Sequence, residues 1–432
     1  MNRLVLRRTL ILALAIPLLG LSSLSQRSLN HDRERMQLTH ATPLENAPPA
    51  LAFTTMVLGG FRGIIANALW MRASDLQEEE KFFELIQLAD WITKLQPRNP
   101  AVWSFQSWNL AYNVSVKFPD HQSRWIWVRE GVSLLRDQGL RYNPNNADLH
   151  YRLAYLYQHK LAGDQDSAHR FYKRSWIHEM ESLFHGPRPD WEELLNPSTP
   201  DAAERARRLR EDYKLDPAEM KRIDTKYGPL EWRLPESHAI YWASYALEHC
   251  HSDRPIDLRR VVYQSLQLAV RRGRLIDFPE IDDYVYAPDP SKITSANNAY
   301  LEMIRADPGH QKNIGDAHKN FLLFAITLLD GTAMKTQAHQ WFDYMLANYP
   351  DAMAEYGSYR EMIRKRLVEG ALQGGPDKVP TVLRALATQY LDYQIMEQGD
   401  LALLMKEKAE NVHEAYLERF RRANEERIRI PT

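Results

Sequence analysis

His249, Cys250 and His251 are the residues of this chain whose types first invite a chemical reading. A thiolate beside two imidazoles suits a zinc site, or a cysteine nucleophile with its base. Their spacing works against both. Successive residues at a helix end point in different directions, and no fourth ligand stands nearby. The cluster therefore reads as a polar helix terminus around a half-buried thiol. His178-Glu179 opens like a helical zinc-protease motif, but Ser182 stands where the second histidine belongs. Asp282, Asp283 and Asp289 lack the central glycine of a calcium loop, and Gly374-Gly375-Pro376 is a turn. Asp190, Glu192 and Glu193 flank Trp191, which offers carboxylates beside an aromatic platform for glycoside cleavage. Neither a glycine-rich phosphate loop nor a G-x-S-x-G turn occurs. No catalytic set, metal or cofactor is assigned.

Composition narrows the classes further. The 432 residues suffice for two or three domains or one extended repeat array, and 44% apolar with 26% charged residues is ordinary for a globular protein. A net charge of -1 supplies no field for nucleic acid or an anionic membrane surface. Arg205, Arg207, Arg208 and Arg210 are interleaved with Asp201, Glu204, Glu211 and Asp212, which makes a solvated mixed face. The single cysteine excludes an intrachain disulfide framework and a cysteine-based zinc ribbon.

The N-terminus carries targeting chemistry. Arg3, Arg7 and Arg8 precede an apolar core, Thr9 to Leu21, and a small-residue stretch, Ser22 to Ser25. This is the layout of an export signal or an uncleaved single-pass anchor over residues 1–25. Arg27, Arg33 and Arg35 balance the flanking charge. The expectation is a helical domain that is exported: held at the membrane, or secreted or periplasmic after cleavage. Residues 26–49 form a polar linker ending in Ala47-Pro48-Pro49. Ala50 to Met71 is apolar, but Arg62, Asn67 and Gly59, Gly60 and Gly63 favour a first helix continuing through Leu76 over a second span.

The elements behind it are helices with a repeat. Leu85, Leu88, Ala89, Ile92 and Leu95 make one stripe. Pro97 precedes Trp103 by six residues, Pro144 precedes His150 by six, and the two prolines lie 47 apart. Asn143 to Trp176 reads as two helices, with Leu153-Ala154-x-x-Tyr157 in the first and Ala168-x-x-x-Tyr172 in the second. Ala154 and Ala168 allow close approach, while the larger residues fill the space between. Ala338-x-x-x-Phe342 with Pro350 eight residues later repeats the second-helix spacing.

This pattern resembles the tetratricopeptide repeat, whose signature is W-x2-L-G-x2-Y followed by A-x3-F and P. The departures are His150 for the Trp, Gln106-Ser107 for the Leu-Gly, and a Tyr157-to-Ala168 loop two residues longer than usual. The resemblance covers roughly Gly59 to Trp176 and Lys319 to Pro350. It implies an all-α, right-handed α-solenoid of helical hairpins. Residues 50–186 would be the first hairpins, 187–235 a proline-rich insert, 236–399 further hairpins and 400–432 a C-terminal capping helix and tail. Tyr227 to Pro235 reads as a recognition loop or, the favoured reading, as a loop whose Trp232 plugs the groove of the array, and no strand pattern stands out. The function implied is a protein-interaction scaffold, with first helices lining a groove for a partner protein or peptide. That nominates Trp103, Asn109, His150, Tyr151, Tyr155 and Gln158. The rival classes are a carbohydrate-active helical enzyme and an accessory subunit of a membrane transport or secretion complex.

Overall fold

Helix starts in this chain are set by short polar caps and by proline at the first turn, where its missing N–H costs nothing. The computed structural model describes residues 62–420 apart from 279–282, 333 and 374–378, together with 25, 28 and 29. It is about 80% helical, with eighteen helices and almost no sheet among the described residues, so the protein is all-α. The chain divides into two units, Met1–Pro97 and Arg98–Thr432.

In the first unit, α1 (Arg62–Glu78) packs on α2 (Phe82–Leu95). Ala73 and Leu76 on α1 and the expected stripe of α2 are buried. The Thr9-to-Leu21 core lies outside the described residues. No described helix is long and apolar enough to cross a membrane.

The second unit begins with two hairpins. They comprise α3 (Pro100–Trp108), α4 (His121–Ser133), α5 (Ala147–Tyr155) and α6 (His169–Phe184). Asn99 caps α3 by accepting the Ala101 N–H at 3.1 Å, and Asn146 caps α5 by accepting the Leu149 N–H at 2.9 Å. Both helices then widen into i→i+5 turns, at Asn109–Val114 and Leu156–Leu161. Caps and wide turns alike repeat at the 47-residue interval. A third wide turn, Leu134–Gly139, carries α4 on to Tyr142. Ser107 stands where Ala154 stands one repeat later, and its hydroxyl donates to the Gly131 carbonyl at 2.7 Å. A Cβ on Gly131 would come within 2.8 Å of the Ser107 carbonyl oxygen, so this approach of α3 to α4 needs glycine.

The proline-rich stretch holds three helices, α7 (Trp191–Leu195), α8 (Pro200–Glu211) and α9 (Pro217–Tyr227). The polar-looking α8 does bury a narrow stripe, Ala202, Arg205, Ala206 and Leu209. Sequence missed α9 because Asp216-Pro217 looks like a breaker, whereas here the aspartate caps and the proline opens a helix. Trp232 is fully buried, its indole N–H donating to Asp224 Oδ1 at 3.0 Å.

Helix pairing resumes with α10 (Pro235–His249) and α11 (Pro255–Arg272). The next connector corrects the expectation that no strand occurs. Arg274–Phe278 and Asp283–Ala287 pair as an antiparallel hairpin, β1 and β2, with Ile276 opposite Val285. Its prolines and aspartates masked the β-branched and aromatic residues that favour pairing. Then come α12 (Ile293–Ala306), α13 (Gln311–Gly331) and α14 (Lys335–Asn348), the last burying Ala338 and Phe342. Two helices follow, α15 (Asp351–Tyr356) and α16 (Tyr359–Gln373), parted where Gly357 takes φ 71°. The last hairpin is α17 (Val379–Ile395) and α18 (Gly399–Phe420). One continuous core runs from Trp103 to Ile363, and a second, thinner one joins α16, α17 and α18 through Leu372, Leu386, Met405 and Tyr416.

Candidate functional site

The clusters with chemical residue types are each occupied by structural work. At the end of α10, His249 faces Glu219, Cys250 faces inward and His251 is exposed, so the three do not converge. His150 Nδ1 lies 2.9 Å from the Asn146 carbonyl oxygen and 3.8 Å from Cys250 Sγ. A carbonyl only accepts, so that nitrogen carries the proton and cannot take one from the thiol. Burial also lowers the His150 pKa and raises the Cys250 pKa, the reverse of what a thiolate–imidazolium pair requires.

Glu219, Glu248 and His249 bring their donor atoms within 4.8 Å of one another. Arg222 already sits 2.6 Å from both carboxylates, so the space a cation would neutralise holds a guanidinium. Near Trp191, Asp190 caps α7, Glu192 binds the Asn196 amide at 2.8 Å, and Glu193 pairs with buried Arg205 at 2.6 Å. Trp191 leans edge-on to buried Trp232.

A different arrangement emerges on the first helices. Trp108 of α3 stacks on Tyr112 with ring centroids 3.9 Å apart, and on Tyr155 of α5 at 6.4 Å. Tyr155 stacks on His159 at 4.9 Å and touches Tyr151 at 6.1 Å. The Tyr112 hydroxyl meets His159 Nδ1 at 3.0 Å. Trp108 and Tyr155 are the same repeat position, as are Tyr112 and His159. The strip is thus one pair of positions used twice and zipped across two helices. Trp108 is 42% exposed, while Tyr112, Tyr151, Tyr155 and His159 are half-buried. The rings are held by their neighbours, so binding through them would order little that is not already ordered. Desolvation lowers the His159 pKa, which keeps the strip uncharged.

Of the six nominated residues, only Tyr151 and Tyr155 reach this surface. Trp103, Asn109, His150 and Gln158 are buried. Gln158 donates to the Val261 carbonyl and to Ser265 Oγ, both at 3.0 Å, and so ties the wide turn after α5 to α11. Trp103 stacks on Tyr142, and His150 on Tyr245. The residues that sequence reading missed are Trp108, Tyr112 and His159. Moving Tyr155 back by 47 residues gives Trp108, and the position four residues after each gives Tyr112 and His159.

Beside the strip, the long loop between α5 and α6 supplies two acidic hubs. Asp166 binds Lys160 at 2.6 Å, Arg124 at 3.2 Å and the Tyr172 hydroxyl at 3.1 Å. Burial alone would raise the Asp166 pKa, but the Lys160 hydrogen bond and the other donors outweigh it, and the carboxyl is held low. Asp164 pairs with Lys173 and with Arg272, which also holds Glu236 at 3.0 Å. These two loop carboxylates thereby clamp both hairpins and α10 and α11 together.

No protein-family model matches the chain, and no curated protein sequence does.

Proposed function

We propose that this chain is a scaffold for protein–protein interaction, targeted to the membrane or exported by its N-terminal segment. In this reading the helices form a right-handed solenoid of degenerate tetratricopeptide-like hairpins. Residues 187–235 are an insert into it and α18 is its cap. The partner is a protein or peptide lying across the first helices. The observation that carries the reading is the strip of Trp108, Tyr112, Tyr151, Tyr155 and His159, built twice from one repeat and left at the surface. Aromatic side chains of this kind supply large contact area at low entropic cost. The carboxylates that would serve a glycan-cleaving enzyme are instead caps and ion-pair partners.

The test is a comparison of captures from detergent extract by wild-type chain and by Tyr151→Ala/Tyr155→Ala. A specific partner is expected with wild type and absent with the variant, at equal helical content. Equal capture by both would move the binding face elsewhere.

A further inference from the structure

We propose that a cavity between α4, α6 and the end of α8 binds a free α-amino acid with an aromatic or branched apolar side chain. The cavity measures about 290 Å³, the small end of ligand pockets. Its walls include Trp125, Arg129, Arg136, Trp176, Glu179 and Tyr213.

Charges of both signs face this space. Arg129 is exposed and makes no ion pair or hydrogen bond among the described residues. Arg136 is buried and gives Nε and Nη2 to Asp137, at 2.7 and 2.8 Å, while its guanidinium lies 5.5 Å over the Tyr213 ring. Glu179 accepts the Tyr213 hydroxyl on Oε1 at 2.7 Å, leaving Oε2 without a partner among the described residues. Trp176 is 2% exposed, and its indole N–H has no acceptor among the described residues.

These features select a ligand class. Glu179 and Asp212, also in the wall, offset the two guanidiniums, so a multiply charged phosphate gains little. An uncharged apolar ligand would use neither Arg129 nor Glu179 Oε2. A zwitterion answers both signs. Its carboxylate meets Arg129, its ammonium meets Glu179 Oε2, and its side chain packs against the wall that holds Trp125 and Trp176. The site is independent of the aromatic strip, and either can stand without the other.

Calorimetry and tryptophan fluorescence on the full chain test this, with L-phenylalanine and L-leucine as ligands. 3-Phenylpropionate lacks the ammonium and phenethylamine lacks the carboxylate. The expected result is saturable binding of at least one amino acid, with each analogue about tenfold weaker or worse. Arg129→Ala should weaken binding by a similar factor, and its exposure makes it a safe substitution. Glu179→Gln should do the same; if that variant loses helicity, the phenylpropionate comparison tests the ammonium contact alone. No binding by either amino acid at millimolar concentration overturns the proposal. So does binding of either single-charge analogue as tightly as the amino acid, or an Arg129→Ala variant that binds as wild type.

Discussion

The hairpins α3 to α6 and the terminal hairpin α17–α18 are both antiparallel helix pairs, yet they are held together differently. The first have a filled core, aromatic zips across helices and a charged clamp around Asp164 and Asp166. The terminal pair has a thin core of its own and leaves Ile395 80%, Leu403 64%, Met396 63% and Leu391 57% exposed. The helical pattern is as strong in one as in the other. What separates them is how much chemistry the connecting loop contributes, because a loop that carries paired charges fixes helices a bare turn only joins.

The largest effect should come from removing the clamp. Asp166→Ala leaves Lys160, whose side chain is 4% exposed, without its carboxylate. Breaking a buried pair in this way costs about 3–5 kcal/mol, to be read in denaturant unfolding. Asp166→Asn, which keeps some hydrogen bonding, should lose less. If Asp166→Ala unfolds like wild type, the clamp is ornamental and the contrast between the regions fails.

Gly131→Val should cost about 1–3 kcal/mol through overpacking of α3 against α4. The added Cβ would meet the Ser107 carbonyl oxygen at 2.8 Å and Ala111 Cβ at 3.2 Å.

Acid should act on two buried histidines of the large core. His238 and His318 are both pushed down to about 4 by burial. His318 is held by the Tyr349 hydroxyl and the Asn297 amide oxygen, each at 2.8 Å. An amide oxygen only accepts, so Nε2 carries the proton and Nδ1 takes the hydroxyl's. Unfolded, each ring protonates near pH 6.5; folded, neither does until about pH 4. The unfolded state therefore binds more protons in that window, and stability falls as pH drops through it. The slope is about 1.4 kcal/mol per pH unit per histidine. His318→Gln should remove one histidine's share of the slope.

The smallest effect should lie in the terminal hairpin. Leu403→Gln replaces an exposed side chain and should change stability by no more than about 0.5 kcal/mol. A loss of several kcal/mol would mean Leu403 is covered, and the terminal hairpin better supported than its surface indicates.

Much of the helical order is readable from the residues alone. Pro97 and Pro144 with their following asparagines mark two equivalent helix starts, and Ala154 and Ala168 mark packing positions that are buried. The site is less readable, for a physical reason. Trp103 and His150, equivalent at the 47-residue interval, both face the core. Gln158 looks like a surface residue in an amphipathic stripe, yet its amide is spent on α11. The wide turns at Asn109–Val114 and Leu156–Leu161 each add a residue to the helical turn and rotate the side chains beyond it. Tyr112 and His159 stand four residues after Trp108 and Tyr155 and stack on them, so ordinary helical spacing does place them on the strip. The β1–β2 hairpin escaped because ten paired residues in a Pro/Asp-rich connector give a weak alternating signal.

We propose that the aromatic strip, and no titratable cluster, binds the partner. This is tested most directly by titrating a captured partner against three chains: wild type, Tyr151→Ala/Tyr155→Ala, and Glu192→Gln/His249→Gln. The account predicts that the tyrosine variant binds at least about tenfold more weakly with unchanged circular dichroism, and that the Glu192/His249 variant binds as wild type. Unchanged affinity in the tyrosine variant, with binding lost in the Glu192/His249 variant, would contradict it.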